Sequence, residues 1–190
     1  PVVPGEQNAY TTFVVSNTSN DTLDFSLSPT QLSGGTATHG GTDVFDVSNL
    51  EVFVDSNGNN QYDFGVDPAP TTNDLAPDTS VRVFIVGDVA LTQTNGQVAG
   101  VTLSATALNS NNTAITAATD LTANTDGVET IFADTGRDGI ESDQDDFTVS
   151  TASLTVTKLS RVVRDNLNGA GTSADATNPK AVPGATVEYC

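Results

Sequence analysis

Leu50-Glu51-Val52-Phe53-Val54 runs into an oxygen-rich stretch, Asp55-Ser56-Asn57-Gly58-Asn59-Asn60-Gln61-Tyr62-Asp63-Phe64-Gly65-Val66-Asp67. The chain then resumes as Ser80-Val81-Arg82-Val83-Phe84-Ile85-Val86. In both flanks, positions 50, 52 and 54 and then 81, 83 and 85 are apolar and largely β-branched. Such period-two patterning marks strands, and it predicts that the loop joins two neighbouring strands of one sheet. The same pattern recurs outward in Ala9–Ser16, Leu23–Leu27, Val98–Leu108, Gly127–Ala133, Phe147–Ser150 and Ser153–Leu159. Leu23–Leu27 is expected to pair with the strand before it as a hairpin. Between these runs lie Gly, Asn and Pro turn clusters, including Asn17–Thr22, Gly34–Thr42 and Pro68–Pro77. Ala114–Leu121 has some helical propensity but is rich in Thr. About eight to ten short strands with such turns specify an all-β chain, an antiparallel β-sandwich. Residues 1–152 form the sandwich domain, and 153–190 form a strand–linker–strand region with its polar linker at Arg161–Pro179.

Within the central loop, oxygen-bearing side chains fall at every second position: Asp55, Asn57, Asn59, Gln61 and Asp63, with Asp67 beyond them. Ca²⁺ takes six to eight oxygen ligands, and a loop curling round one ion turns alternate side chains toward it. These six residues are the candidate ligands of a structural Ca²⁺ site. The pattern departs from the EF-hand loop at two places. Asn60 stands where Gly makes the sharp turn, and Asp67 comes one residue after the position of the closing Glu. Asn is the next best residue for left-handed backbone, so the first departure is mild. A second acidic run, Asp134–Asp146, is expected to be a loop and a second candidate cation site.

The formal charge is −18, from 24 acids against 6 bases. That balance excludes nucleic acid as a partner, because such binding runs on Lys and Arg contacts to phosphate. It suits divalent cations and solubility. No apolar stretch approaches the ~18 residues that span a bilayer, so no membrane span is expected. The chain begins at Pro1 and has no Met, which reads as a processed or partial product. Cys190 is the only cysteine, so any disulfide has its second sulfur elsewhere. Three glycosylation sequons begin at Asn17, Asn20 and Asn111, as chance allows in a chain rich in Asn and Thr. His39 is the only histidine, and no Ser–His–acid or Cys–His arrangement accompanies it. It is read as a loop residue, and the chain as not an enzyme.

The two ends repeat one another. Val3-Pro4-Gly5 followed by Tyr10 matches Val182-Pro183-Gly184 followed by Tyr189, and in both the tyrosine is six residues after the proline. The second copy is preceded by a strand-like Leu154-Thr155-Val156-Thr157-Lys158-Leu159; the first has only Pro1-Val2 before it. A sandwich lacking that leading strand exposes an edge, and open edges invite another chain. Val182–Cys190 resembles the opening of the Ig-like repeat domains of bacterial secreted and surface proteins, of the V-P-G-x-x-V-x-Y type. Leu154–Lys158 is similar to their lead-in strand. Pro4–Asn8 through Val54–Asn59, with Leu75–Asp78, resembles a domain that accompanies such repeats in large envelope proteins of alphaproteobacteria. The resemblance implies an Ig-like sandwich, export to the cell surface and a structural or adhesive role without catalysis.

Two explanations fit the incomplete unit. The chain is a segment of a tandem array, or Ser153–Cys190 of one subunit completes the sheet of the next. The second is β-strand addition, and repeated head to tail it makes a homopolymer. The leading expectation is therefore an extracellular structural protein, a filament, sheath or stalk subunit with a Ca²⁺-stiffened loop. The alternative is an adhesin or a carbohydrate-binding sandwich. With three Tyr, eight Phe and no Trp, the chain is short of aromatic sugar platforms.

Overall fold

Strand β5, Thr79–Asp88, carries the run on which the reading turns, and it lies at the centre of a sheet. A computed structural model describes residues 1–69, 71–108, 112–115, 132, 134, 136–152, 154–165, 169–170 and 183–189. The chain divides into two units, Pro1–Thr151 and Ala152–Cys190. The first contains β1 (Ala9–Asn17), β2 (Leu23–Gln31), β3 (Ser48–Val54), β4 (Thr71–Leu75), β5, β6 (Val98–Leu108) and β7 (Ile140–Thr148). They form two antiparallel sheets, β1-β5-β3 and β4-β2-β6-β7. The fold is all-β and sandwich-like, with its core between the sheets. Phe13 and Val15 of β1, Val83 and Ile85 of β5 and Val52 and Val54 of β3 pack with Leu27, Val101, Leu103 and Phe147 of the other sheet.

Residues paired across an antiparallel ladder share a face. Phe84 is opposite Thr12 and Phe53, so it points away from the core, yet it is fully buried. Something must cover the outer face of this sheet there, and the Asp55–Asp67 loop does, as shown below. The loop joins β3 to the residues leading into β4, and β3 and β5 are neighbours.

Several elements differ from the sequence reading. Leu23–Gln31 makes no hairpin with β1: β1 pairs with β5, whereas β2 pairs with β4 and β6. The corner between them is set by Asn17. Its amide Nδ2 donates to the Asp21 and Leu75 carbonyls at 2.8 and 2.7 Å, and its own carbonyl accepts the Asp78 N–H at 2.9 Å. These bonds tie the β1 end to the β4–β5 corner and send the chain across to the second sheet. Thr71–Leu75, expected within a loop, is an edge strand on β2. The acidic run is strand β7 from Ile140 onward. Leu154–Leu159 lies outside every strand, and the strand falls at β8 (Ser160–Asp165), inside the expected linker. Residues 116–121 and most of 127–133, read as helix-prone and as strand, lie outside the described residues.

Side chains fasten the connections. Asp43 is buried, and its carboxylate accepts the Gly100 and Gly34 N–H groups at 2.8 Å each. Gly100 is required there, since a Cβ would stand 2.7 Å from Leu32. Asp88 accepts the Asn8 N–H at 2.9 Å and the Asn49 amide at 2.7 Å, holding two residues of left-handed backbone at the starts of β1 and β3. Those donors, the Asn8 N–H first, hold its carboxyl below the usual carboxylate range.

In the second unit, β8 is the middle strand between β9 (Gly169–Ala170) and β10 (Thr186–Tyr189). Arg161 Nη2 meets Glu188 Oε2 at 2.7 Å across the β8–β10 ladder, and Lys158 Nζ sits 4.5 Å from the centre of the Tyr189 ring. The repeated motif has a repeated conformation. Gly5 and Gly184 both take left-handed backbone, φ 80° and 86°, in the turn before a strand that holds the matching tyrosine. Among the described residues no helix is long and apolar enough to cross a membrane.

Candidate functional sites: the Asp55–Asp67 loop and an open seam

Asp55 opens the loop as an acceptor for backbone. Its Oδ1 takes the Gly58 N–H at 2.8 Å and its Oδ2 the Asn60 N–H at 2.9 Å. Asn60 has φ 65°, left-handed backbone at the position where an EF-hand loop has Gly. Asn57 Oδ1 accepts the Asn59 N–H at 3.0 Å and Asn59 Oδ1 the Gln61 N–H at 2.8 Å, so the chain winds through two successive Asx turns. Both amides aim Nδ2 at Asp63 Oδ2, at 2.8 and 2.6 Å. Asp67 is buried and closes the loop, accepting the Asp63 N–H at 2.8 Å and the Ser56 N–H at 3.2 Å.

The structure thus brings Asn57, Asn59 and Asp63 together, with Asp55 and Asp67 at the base. Gln61 is exposed and joins through its backbone. Asp55, Asp63 and Asp67 do not converge as a three-carboxylate cluster. The donor set suits a hard cation in kind, with carboxylates at both ends and amide oxygens between. A cation at Asp63 would require the two asparagine amides to turn their oxygens toward it.

Tyr62 was not singled out by the sequence reading, and it fixes the loop. Its ring lies 5.0 Å from that of Phe53, 6.0 Å from Tyr10 and 6.2 Å from Phe84, while Tyr10 meets Phe84 edge-on at 5.4 Å. Tilted and edge-on pairs at these separations are favourable aromatic geometries. Burial first, then the charges of Glu51 and Asp67, push the Tyr62 hydroxyl above its ordinary pKa. An aromatic in the middle of a polar run, with Phe53 and Tyr10 on the two strands that flank β5, was the available signal.

The second feature is a seam. Among the described residues β1 and β7 are edge strands, one of each sheet. At one end they are joined: the Thr11 hydroxyl donates to Asp145, and Val2 bridges Val149. His39 adds to this closure. Its Nδ1 lies 3.1 Å from Asp145 and 3.2 Å from Asp146, and its backbone N–H donates to Asp146 at 2.8 Å. These three residues are the one group of converging His and acid donors among the described residues. His39 therefore tethers the Gly34–Thr42 loop to β7.

Along the rest of β1 and β7 runs a groove of about 980 Å³. Phe13 and Val15 of β1, Phe25 of β2, Leu103 and Ala105 of β6, and Phe132 from the segment before β7 supply apolar lining. The β7 wall is acidic. Asp145, Asp143 and Glu141 are opposite Val101, Leu103 and Ala105, and Phe147 is opposite Ala99. Glu141, Asp143 and Asp145 therefore occupy core-face positions on an edge strand. Their phase with Phe147 was the signal in Ile140–Thr148 that a reading of charge alone passes over.

No family model, curated protein or solved structure matches this chain.

Proposed function

We propose that this chain is an extracellular structural protein of a bacterial surface, which self-associates by β-strand addition into a filament, sheath or stalk. The observation that carries the reading is the seam: among the described residues β1 and β7 each lack a strand partner on one side, and the two edges flank an apolar-lined groove. Native sheets normally cover or blunt such edges, because they recruit strands. The charge of −18 supports an exposed, soluble surface. The Ig-like repeat character of the Pro-Gly turns, each leading into a strand with its tyrosine, supports a secreted repeat protein.

Sedimentation of the full chain over a wide concentration range, with negative-stain microscopy, tests this. Species growing with concentration beyond the 19.5 kDa monomer are expected. A monomer at every concentration overturns the reading.

The same reading gives the Asp55–Asp67 loop a structural Ca²⁺ held by Asp55, Asn57, Asn59, Gln61, Asp63 and Asp67. Extracellular Ca²⁺ modules bind at about 10⁻⁴–10⁻³ M. At ~0.3 mM affinity, 10 mM Ca²⁺ would stabilise the folded chain by about 2 kcal/mol. The expected rise in Tm over EDTA is about 4–8 °C, and Asp63→Ala should abolish it. Equal Tm values in Ca²⁺ and EDTA would remove the ion from the proposal.

A further inference from the structure

We propose that His39, Asp145 and Asp146 form a site for a divalent ion of the Zn²⁺ class, joining the Gly34–Thr42 loop to β7. All three residues belong to the first unit, and the inference is independent of self-association. Consecutive residues of a strand send their side chains to opposite faces. Asp145 and Asp146 are consecutive in β7, yet one oxygen of each stands at His39 Nδ1, Asp145 Oδ1 at 3.1 Å and Asp146 Oδ2 at 3.2 Å. The three ligand atoms lie within 4.8 Å of one another. A ring nitrogen offers one N–H or one lone pair. As a donor, Nδ1 has one proton for two carboxylate oxygens. As a lone pair, it faces two negative charges. The Asp146 side chain is only 2% exposed, so water does little to relieve its charge. An ion with two positive charges balances both carboxylates and takes the nitrogen lone pair as a third ligand.

The distances favour a small ion. Ligands ~2.0–2.2 Å from one Zn²⁺ stand about 2.8–3.6 Å apart, from octahedral to tetrahedral corners. Both N···O separations fall inside that range. Ca²⁺ is held by oxygen alone at ~2.3–2.6 Å, whereas imidazole suits Zn²⁺ and its neighbours in the transition series. The carboxylates are also held from behind, as metal-ligating carboxylates are. Asp145 Oδ1 accepts the Asp146 N–H at 2.8 Å, and its Oδ2 accepts the Thr11 hydroxyl. Asp146 Oδ1 accepts the Thr148 hydroxyl at 3.0 Å, and its Oδ2 accepts the His39 backbone N–H at 2.8 Å. The His39 side chain is 67% exposed, so water completes the coordination from the solvent side.

The test is Zn²⁺ titration of the tag-free full chain at neutral pH, followed by calorimetry and by ¹⁵N NMR of the imidazole. A Cys190→Ser background keeps the one thiol from competing. His39 is the only histidine, so the ring signals are unambiguous. One ion per chain is expected, held through Nδ1 with the ring proton on Nε2. Tm should rise by about 5–11 °C at ~100-fold excess over Kd. His39→Ala and Asp145→Asn should each weaken binding by about tenfold or more, since even outer-shell partners are worth ~10–100-fold. Circular dichroism in EDTA checks that both variants fold. Asp63→Ala should leave the affinity unchanged, which separates this site from the Asp55–Asp67 loop; a loss there overturns the inference. Zn²⁺ bound at Nε2, with the proton kept on Nδ1, is an adventitious ion only and overturns it too. So does an unchanged affinity in His39→Ala or Asp145→Asn. No binding at all leaves the three residues an ion pair and ends the proposal.

Discussion

Replacing Phe84 by Ala should destabilise the first unit by about 3–5 kcal/mol, the range for truncating a buried aromatic. Phe84 is fully buried although it points away from the inter-sheet core. Its cover is aromatic, with Tyr10 at 5.4 Å and Tyr62 at 6.2 Å. Truncation leaves a cavity under Tyr62 and removes two ring contacts at once. The loop then loses the surface on which it rests, while its internal hydrogen bonds remain. Thermal unfolding should show a fall in Tm of about 6–20 °C for a chain of this size. The near-ultraviolet tyrosine dichroism should fall at temperatures well below the transition, because Tyr62 loses its fixed environment before the sheets separate. Phe84→Leu, which keeps most of the volume, should cost less than half as much. A loss under 1 kcal/mol for Phe84→Ala would mean that the loop does not bury this ring.

That position also shows how far alternation carries. Val81, Val83 and Ile85 announce a strand with one apolar face, and β5 is that strand. Phe84 and Val86 in the other phase announce a second buried face, since a strand covered on both sides reads as a continuous apolar run. The cover itself, Tyr62, sits among polar residues chosen for turns and for oxygen, where an aromatic is easily overlooked. The seam hides for the opposite reason. In Ile140–Thr148 the core-face positions are Glu141, Asp143 and Asp145, so a strand with its polarity inverted reads as a solvated loop. Thr71–Leu75 lacks apolar alternation, and Asp74 has φ 52°, so only its pairing with β2 identifies it as a strand.

Pairing is a different kind of information from strand content. Ala9–Asn17 and Leu23–Gln31 are separated by a short turn cluster, the spacing of a hairpin, yet they belong to different sheets. Loop length does not say whether the chain turns back or crosses over. The deciding contacts run from Asn17 to Leu75 and Asp78, residues distant in sequence. The Asp55–Asp67 loop was legible as a turn-rich oxygen-bearing segment because its residues are local in sequence. The groove was not, because it is built from β1, β2, β6 and β7 together.

Asn17→Asp should cost about 3–5 kcal/mol at neutral pH, as expected when a buried site acquires an unpaired charge. Asn17 is 1% exposed, and every polar atom of its amide is engaged. Nδ2 donates to the Asp21 and Leu75 carbonyls, and Oδ1 accepts the Ser19 N–H and hydroxyl at 3.0 and 2.7 Å. The substitution changes one atom type and little volume. It turns two N–H donors into an oxygen facing two carbonyl oxygens, and it buries a negative charge among them. In the variant, burial and those carbonyls raise the folded-state pKa of the new carboxyl above its unfolded value of about 3.9. The penalty is therefore complete above the folded pKa and fades as pH falls through it toward the unfolded one. Urea unfolding at neutral and acid pH should show the gap between variant and wild type narrowing with acid. Asn17→Ala leaves the same carbonyls unpaired without adding charge, so its cost should be smaller and nearly independent of pH. If Asn17→Asp were tolerated within 1 kcal/mol, the corner could not be what directs β2 into the second sheet. The same burial bears on the sequon: with Nδ2 held by two carbonyls inside the corner, the folded chain should carry no glycan at Asn17, whereas Asn20 is exposed.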